Sequence, residues 1–288
     1  MNSIEFIEEV KNSNLCPPNF DEMYKDFQKY QNAAIDTLNE FHRVCELNKI
    51  PYQLAYGSLL GAIRDGGQIP WDYDIDVWVP DEYRLKLVEI LKSQLNEKYY
   101  FYCPEVDDNC RHFIMRLAPV GYKTEALHVD VFFTTEVPNN QEKRIRFTEH
   151  LYKLMDIRYY KLVNVREEYF RRYKAMLKVY LLRAMFSLHS LNKITKEYYE
   201  LCSKYRNKSN ICASLDSDIT KRVFNKRLMW DTKIINLESG SYRITKNYDE
   251  ILKSLYGNYN VFMPLDRRVG EMLSSYKRLK RFDNIVRM

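Results

Sequence analysis

Asp72, Asp74 and Asp76 stand at alternate positions shortly after a Gly57-Ser58 pair, and that combination is the chemically equipped part of the chain. Ile75, Val77 and Val79 alternate with Asp74, Asp76 and Trp78, so residues 72–79 are predicted to form a strand, closed by Pro80. In a strand Asp74 and Asp76 share a face, with Cβ atoms about 7 Å apart. Carboxylates that close repel one another unless a cation lies between them. Ligands made only of oxygen suit Mg²⁺ or Mn²⁺ better than zinc. A Gly-Ser turn lets backbone N–H groups approach a phosphate. A phosphate turn beside metal-binding carboxylates is the equipment of phosphoryl or nucleotidyl transfer.

A third carboxylate is expected on a neighbouring strand. Asp130 is the candidate, because it lies within Leu127-His128-Val129-Asp130-Val131-Phe132-Phe133, where His128, Asp130 and Phe132 share one face. A lone carboxylate in so apolar a run is costly unless paired or metal-bound. Three converging carboxylates can hold one or two divalent ions, which bridge phosphate oxygens and activate an attacking hydroxyl. Asp130 could also accept that hydroxyl's proton. The bland alternatives are a solvated edge strand for Asp74 and Asp76, and a packing role for His128.

The elements that must position these residues follow from the surrounding pattern. Residues 1–20 read as a polar lead-in. A helix is expected over residues 21–48, with Ala34, Leu38, Phe41 and Cys45 as its buried stripe. A short strand over 52–56 then enters the Gly57-Ser58 turn, and residues 59–64 continue as a short helix. Residues 82–95 read as helical with Leu85, Val88 and Leu91 or Leu95 inward. Strands are expected over 99–103, 111–117 and 127–133. From residue 142 the composition becomes basic and rich in Tyr, Leu and Arg. Residues 142–206 are predicted mainly helical, and 213–288 irregular with short helices. The expected organisation is a catalytic core over 1–137 and a mainly helical lobe over 142–288. The fold class is α/β (α+β), with a mixed sheet flanked by helices.

A chain of 288 residues can bury a full core, and 45% hydrophobic with 29% charged residues is ordinary for a globular protein. The net charge of +6 suits anionic substrates, permits nucleic acid, and is equally explained by surface lysines. Met1 to Val10 has no secretory character and the six cysteines form no CxxC pair, so reduced thiols in a cytoplasmic protein are expected. Cys103 and Cys110 flank a short loop, read as a surface loop in preference to a zinc site. No apolar run is long enough to cross a membrane. The stretch Val179–Leu188 reads as a buried helix, with a helix lying on a membrane surface as the sharper alternative. The cluster Arg166, Arg171, Arg172, Lys174, Lys178 and Arg183 is either a solvated face or a contact for a phosphate-bearing acceptor.

The block from Tyr56 to Arg64, followed by Ile69-Pro70-Trp71-Asp72-Tyr73-Asp74-Ile75-Asp76, resembles the signature of the LicD/fukutin-related family, whose fold is similar to that of polymerase-beta-type nucleotidyltransferases. The upstream Cys45 to Tyr52 fits the resemblance, as do Ile244 to Leu252, Tyr256 to Tyr259, and Pro264. The resemblance implies transfer of a phospho-alcohol, phosphocholine or a polyol phosphate, from a CDP-linked donor. The acceptor would be a hydroxyl of a cell-surface glycan (lipopolysaccharide, teichoic acid or capsule), free or lipid-linked, with release of CMP. It further implies that Gly57 and Ser58 hold donor phosphates and that Asp74, Asp76 and Asp130 hold Mg²⁺ or Mn²⁺. Arg64 would neutralise phosphate charge, and Asp72 would extend the acidic cluster. Tyr73 departs from the family pattern, where another Asp is frequent, and Ser58 stands where Thr is common. The helical lobe would bind the acceptor, at the inner face of the membrane if the glycan is lipid-linked. Two other functions remain open: nucleotide addition with release of pyrophosphate, and a catalytically silent nucleic-acid binder. No nucleic-acid motif supports the latter. Trp71, Trp78 and Trp230 could cage a choline or could be core.

Overall fold

The computed structural model describes residues 1–286 apart from 125, 170, 217, 218, 220, 221 and 238. The chain begins with α1 (Ser3–Lys11), α2 (Phe20–Leu47), β1 (Gln53–Leu54) and α3 (Tyr56–Leu60), which runs on as a π-helical turn over Gly61–Asp65. Next come β2 (Ile75–Pro80), α4 (Arg84–Gln94), β3 (Tyr99–Tyr102), β4 (Met115–Pro119) and β5 (Val129–Glu136). After these lie α5 (Gln141–Leu162), α6 (Val165–Glu168), α7 (Tyr173–Met185), α8 (Leu191–Ser203), β6 (Ile211–Ser214) and β7 (Phe224–Asn225). The chain closes with α9 (Lys226–Trp230), β8 (Thr232–Leu237), β9 (Gly240–Thr245), α10 (Tyr248–Tyr256) and α11 (Leu265–Val286). The fold is the mixed α/β class expected, with a sheet in the order β1-β2-β5-β4-β3.

Two compact units emerge, and neither is continuous in sequence. The first comprises residues 1–101, 116–132 and 227–288. Its sheet centres on β2, which pairs antiparallel with β1 in the register Gln53–Trp78 and Leu54–Val77. Burial follows the predicted alternation: Tyr73, Ile75 and Val77 are buried, while Asp72, Asp74 and Asp76 are half-buried. Behind the sheet α2 buries Phe27, Ala34, Leu38, Phe41 and Cys45. α1, absent from the sequence expectation, buries Phe6 and Val10 one turn apart. It starts on an Asn2/Glu5 capping box, a signal present in the sequence at residues 2–5. The expected irregular C-terminal region is also more regular than predicted. It contains the β8–β9 hairpin and the 22-residue α11. Along α4 the inward residues are Leu87, Val88, Ile90 and Leu91, whereas Leu85 is 67% exposed. A 3-10 turn over Asp81–Tyr83 sets that phase by starting the α-helix only at Arg84.

The second unit comprises residues 102–115 and 133–226. There the end of β5 pairs antiparallel with β6, and β6 with β7. Arg158, 1% exposed, holds the loop between Cys103 and Cys110 through Nε to Cys110 O (2.6 Å) and Nη2 to Asp108 O (2.9 Å). Phe113 stacks on Tyr198 at 3.6 Å. The loop is a surface loop, as expected, with Val106, Asp108 and Asn109 exposed, while the cysteines that flank it are buried free thiols. α7 departs from the buried helix expected: it buries Val179 alone, while Leu177 and Leu181 are 62% and 64% exposed.

Candidate active site: aspartates at the start of a strand

The Gly57-Ser58 pair lies in the first turn of α3, not in an irregular turn. The sharp entry is made by Tyr56, whose φ of 40° is unusual for a side chain with a Cβ. Its ring is held edge-on against Trp78 (4.9 Å) and Phe132 (5.4 Å). The helical bond from Leu59 N–H to Ala55 O (2.9 Å) leaves the N–H groups of Gly57 and Ser58 ahead of it, without helical acceptors of their own.

β2 is clamped to this turn by two hydrogen bonds. Asp76 N–H donates to Ser58 Oγ (2.8 Å), and Ala55 N–H donates to Asp76 O (2.9 Å). The residues just before the strand are held from the other side by α2. Tyr24 OH donates to Pro70 O (2.9 Å), and the Gln31 amide donates to Asp72 O (2.6 Å) and Ile69 O (3.2 Å). Neither Tyr24 nor Gln31 was singled out in the sequence. Their signal is a polar group on the buried stripe of a helix.

These restraints bring Asp72, Asp74 and Asp76 together. Burial pushes the Asp72 carboxyl well above the usual range, and the neighbouring charge of Asp74, a hydrogen bond to Asp74 and the charge of Asp76 push it further. Gly57 permits the approach, since a Cβ there would lie 3.2 Å from Asp72 Oδ2. Tyr73, between the aspartates, points to the core and meets Phe27 edge-on at 6.5 Å. Its burial raises the phenol to about 12. An aspartate there would be buried too, so the departure from the family pattern leaves the alternation of half-buried aspartates untouched.

Asp130 sits in a different electrostatic setting. Its carboxylate receives Arg116 Nε at 2.8 Å and lies 3.2 Å from His128 Nε2. Burial opposes ionisation here, but the charges of His128 and Arg116 outweigh it and hold the carboxyl well below the usual range. Its burial is therefore already compensated by the Arg116 guanidinium, with His128 beside it. Arg116 was not among the sequence candidates, although a charged residue between buried Met115 and Leu117 carries the signal. His128 Nδ1 is buried without a hydrogen-bond partner.

Arg64 is committed elsewhere. Its guanidinium pairs with the fully buried Asp65 (2.7 Å) and lies 4.5 Å over the Phe262 ring. Trp71 and Trp78 are core residues, 3% and 0% exposed, and cannot wall an open cage. Among the described residues no three His, Cys, Asp or Glu side chains are arranged to hold a metal by themselves. Mg²⁺ commonly takes one or two carboxylates and completes its shell with substrate phosphates and water. The pressure on Asp72 fits that arrangement, since a cation beside Asp74 and Asp76 would relieve it. In the second unit, Arg183 of the basic cluster is used structurally, donating to Tyr160 O (3.0 Å) and Val163 O (2.5 Å).

Residues 49–176 match the family model described as LicD/FKTN/FKRP, nucleotidyltransferase domain. A stretch of 73 residues is 42% identical to the lipopolysaccharide cholinephosphotransferase LicD of Haemophilus influenzae, covering 25% of this chain and 27% of that protein. A stretch of 96 residues is 28% identical to mannosyltransferase regulator 4 of Saccharomyces cerevisiae, covering 33% of this chain and 8% of that protein. The chain thus spans about a quarter or less of the length of these relatives.

Proposed function

We propose that this chain, whose residues 49–176 match the LicD/FKTN/FKRP family model, is a LicD-type transferase. It moves phosphocholine or a polyol phosphate from a CDP-activated donor to a hydroxyl of a cell-surface glycan and releases CMP. The observation that carries the reading is the crowding of Asp72, Asp74 and Asp76 against the first turn of α3. A divalent ion, Mg²⁺ or Mn²⁺, bound by Asp74 and Asp76 would supply charge neutralisation at the donor phosphates.

The chain's own groups have separable tasks in this proposal. Ser58 Oγ fixes Asp76 by accepting its N–H and retains a proton to donate to a phosphate oxygen. Gly57 leaves room for that phosphate beside Asp72. Asp72 shares the load of negative charge with Asp74 and Asp76. Asp130, held ionised by Arg116 and His128, is better suited to a metal-facing carboxylate than to a proton acceptor, because its basicity is low. Arg64 braces the loop that leads to Asp72 instead of meeting phosphate directly. The acceptor is a glycan, free or lipid-linked, and a CDP-linked donor is in keeping with a cytoplasmic reaction.

The test is donor binding followed by product identity. A ligand that binds only the folded state raises its melting temperature. With Mg²⁺ present, one CDP-alcohol is expected to stabilise the protein more than CDP does, and turnover with acceptor glycan is expected to yield CMP. Stabilisation by a nucleoside triphosphate alone, with pyrophosphate as product, would replace this reading with nucleotidyl transfer.

A further inference from the structure

α7 leaves the second unit with an apolar face that nothing in that unit covers. One side of the helix is used: Val179 and Met176 pack with Val163, Val165 and the Tyr159 and Tyr160 rings of the preceding helices. The opposite side presents Tyr173, Leu177, Tyr180, Leu181 and Met185, which are 45% to 76% exposed. Leu188, in the turn beyond the helix, is 96% exposed. Their three- and four-residue spacing makes one stripe. Contiguous apolar exposure of this kind marks an interaction site.

Charge identifies the occupant. Residues 169–196 contain no Asp or Glu, and besides Arg183, which is used structurally, they contain Arg171, Arg172, Lys174, Lys178, Lys193 and Lys196. On a helical wheel Lys174 and Lys178 fall along the leucine side, so their ammonium groups can reach past the stripe. From the helix packed against α7, Asp156 faces Lys178. A second copy of the chain would bring this cationic face against itself, which like charges oppose. A bilayer carrying anionic headgroups satisfies both features at once. We propose that the α7 face lies in the interface of an anionic membrane, with the leucines entering the acyl boundary and the lysines meeting the headgroups. At 13 residues the helix is too short to span a bilayer, so it lies on the surface. The inference stands on this face alone and does not depend on the reaction proposed above.

Co-sedimentation of the full chain with vesicles of phosphatidylcholine, with and without phosphatidylglycerol, tests it. Binding is expected to phosphatidylglycerol vesicles only, and to weaken as salt rises. Leu177→Gln with Leu181→Gln is expected to lower partitioning at least about tenfold, and Lys174→Glu with Lys178→Glu comparably. These side chains are exposed, so unchanged circular dichroism and melting temperature are expected; Leu188→Gln, outside the helix, is a second probe for the same face. Absence of binding to the anionic vesicles overturns the proposal, as does binding that none of the three variants weakens. A wild-type dimer that fails to bind vesicles and is dispersed by the leucine variants assigns the face to a second copy and also overturns it.

Discussion

Three aspartates in five residues carry opposite pH consequences from the carboxylate one strand away. The Asp72 carboxyl is raised by burial and by its acidic neighbours. The folded state therefore binds a proton there more tightly than the unfolded chain does, and Asp72 lowers stability as pH rises above its ordinary value of 3.8. Asp72→Asn is expected to raise the metal-free melting temperature at pH 7 and to reduce the further rise caused by Mg²⁺; a thermal melt with and without the ion measures both. The Asp130 carboxyl is lowered, so its stabilisation is present above 3.8 and is lost as pH falls below it. Asp130→Ala removes the carboxylate that receives Arg116 Nε and lies beside His128 Nε2, and is expected to cost about 3 kcal/mol at pH 7, with a smaller cost at pH 3, read by urea unfolding. At this scale the sequence exposed the aspartates by their spacing. It could not reveal that Arg116 and His128 are the partners of Asp130, because that pairing is made across strands.

Elements hold the site through close approaches that leave no slack. A Cβ on Gly61 would lie 2.5 Å from Gly67 O and 3.1 Å from the Ile69 backbone nitrogen. Gly61→Ala must push the π-helical turn away from the loop that leads to Asp72. It is expected to cost about 2 kcal/mol and to reduce activity, measured by denaturant unfolding and turnover. Ser58 joins α3 to β2 through its hydroxyl, which accepts from Asp76 N–H. Ser58→Ala is expected to cost about 1 kcal/mol and to lower turnover, while Ser58→Thr retains both. Helix α2 and the alternating strand were legible because their periods are long and regular. α7 was misassigned because its apolar residues occur on both sides of the helix, and apolar content alone does not say which side finds a partner.

Across the whole molecule, the residues that match the family domain do not make a self-sufficient folding unit. Gln53 Nε2 on β1 donates to Met229 O (2.8 Å), and Arg243 pairs with Glu46 through Nη2 at 2.8 Å. Tyr242, Ile244, Leu252, Met272 and Leu279, all from residues 227–288, are essentially fully buried. A fragment of residues 49–176 is expected to lack a cooperative thermal transition, whereas the full chain has one; calorimetry of both decides this. The boundary expected near residues 137–142 was drawn from a change of composition. The compact units instead divide the chain into interleaved segments, with residues 227–288 packed in the first unit.

Local chemistry was written in the sequence by itself: the alternating aspartates, the Gly-Ser pair ahead of them, the buried stripe of α2, and the basic stretch without carboxylates. Each of these depends only on spacing, and spacing fixes which side chains share a face of a helix or strand. Tertiary structure alone decided which charges are compensated, since Asp130 is neutralised by residues 2 and 14 positions away whereas Asp72 is crowded by like charges. It also committed Arg64 to Asp65 and left Leu177 and Leu181 uncovered. The physical reason is that burial and Coulomb energy depend on distances between elements, and these are set by packing that no local period encodes.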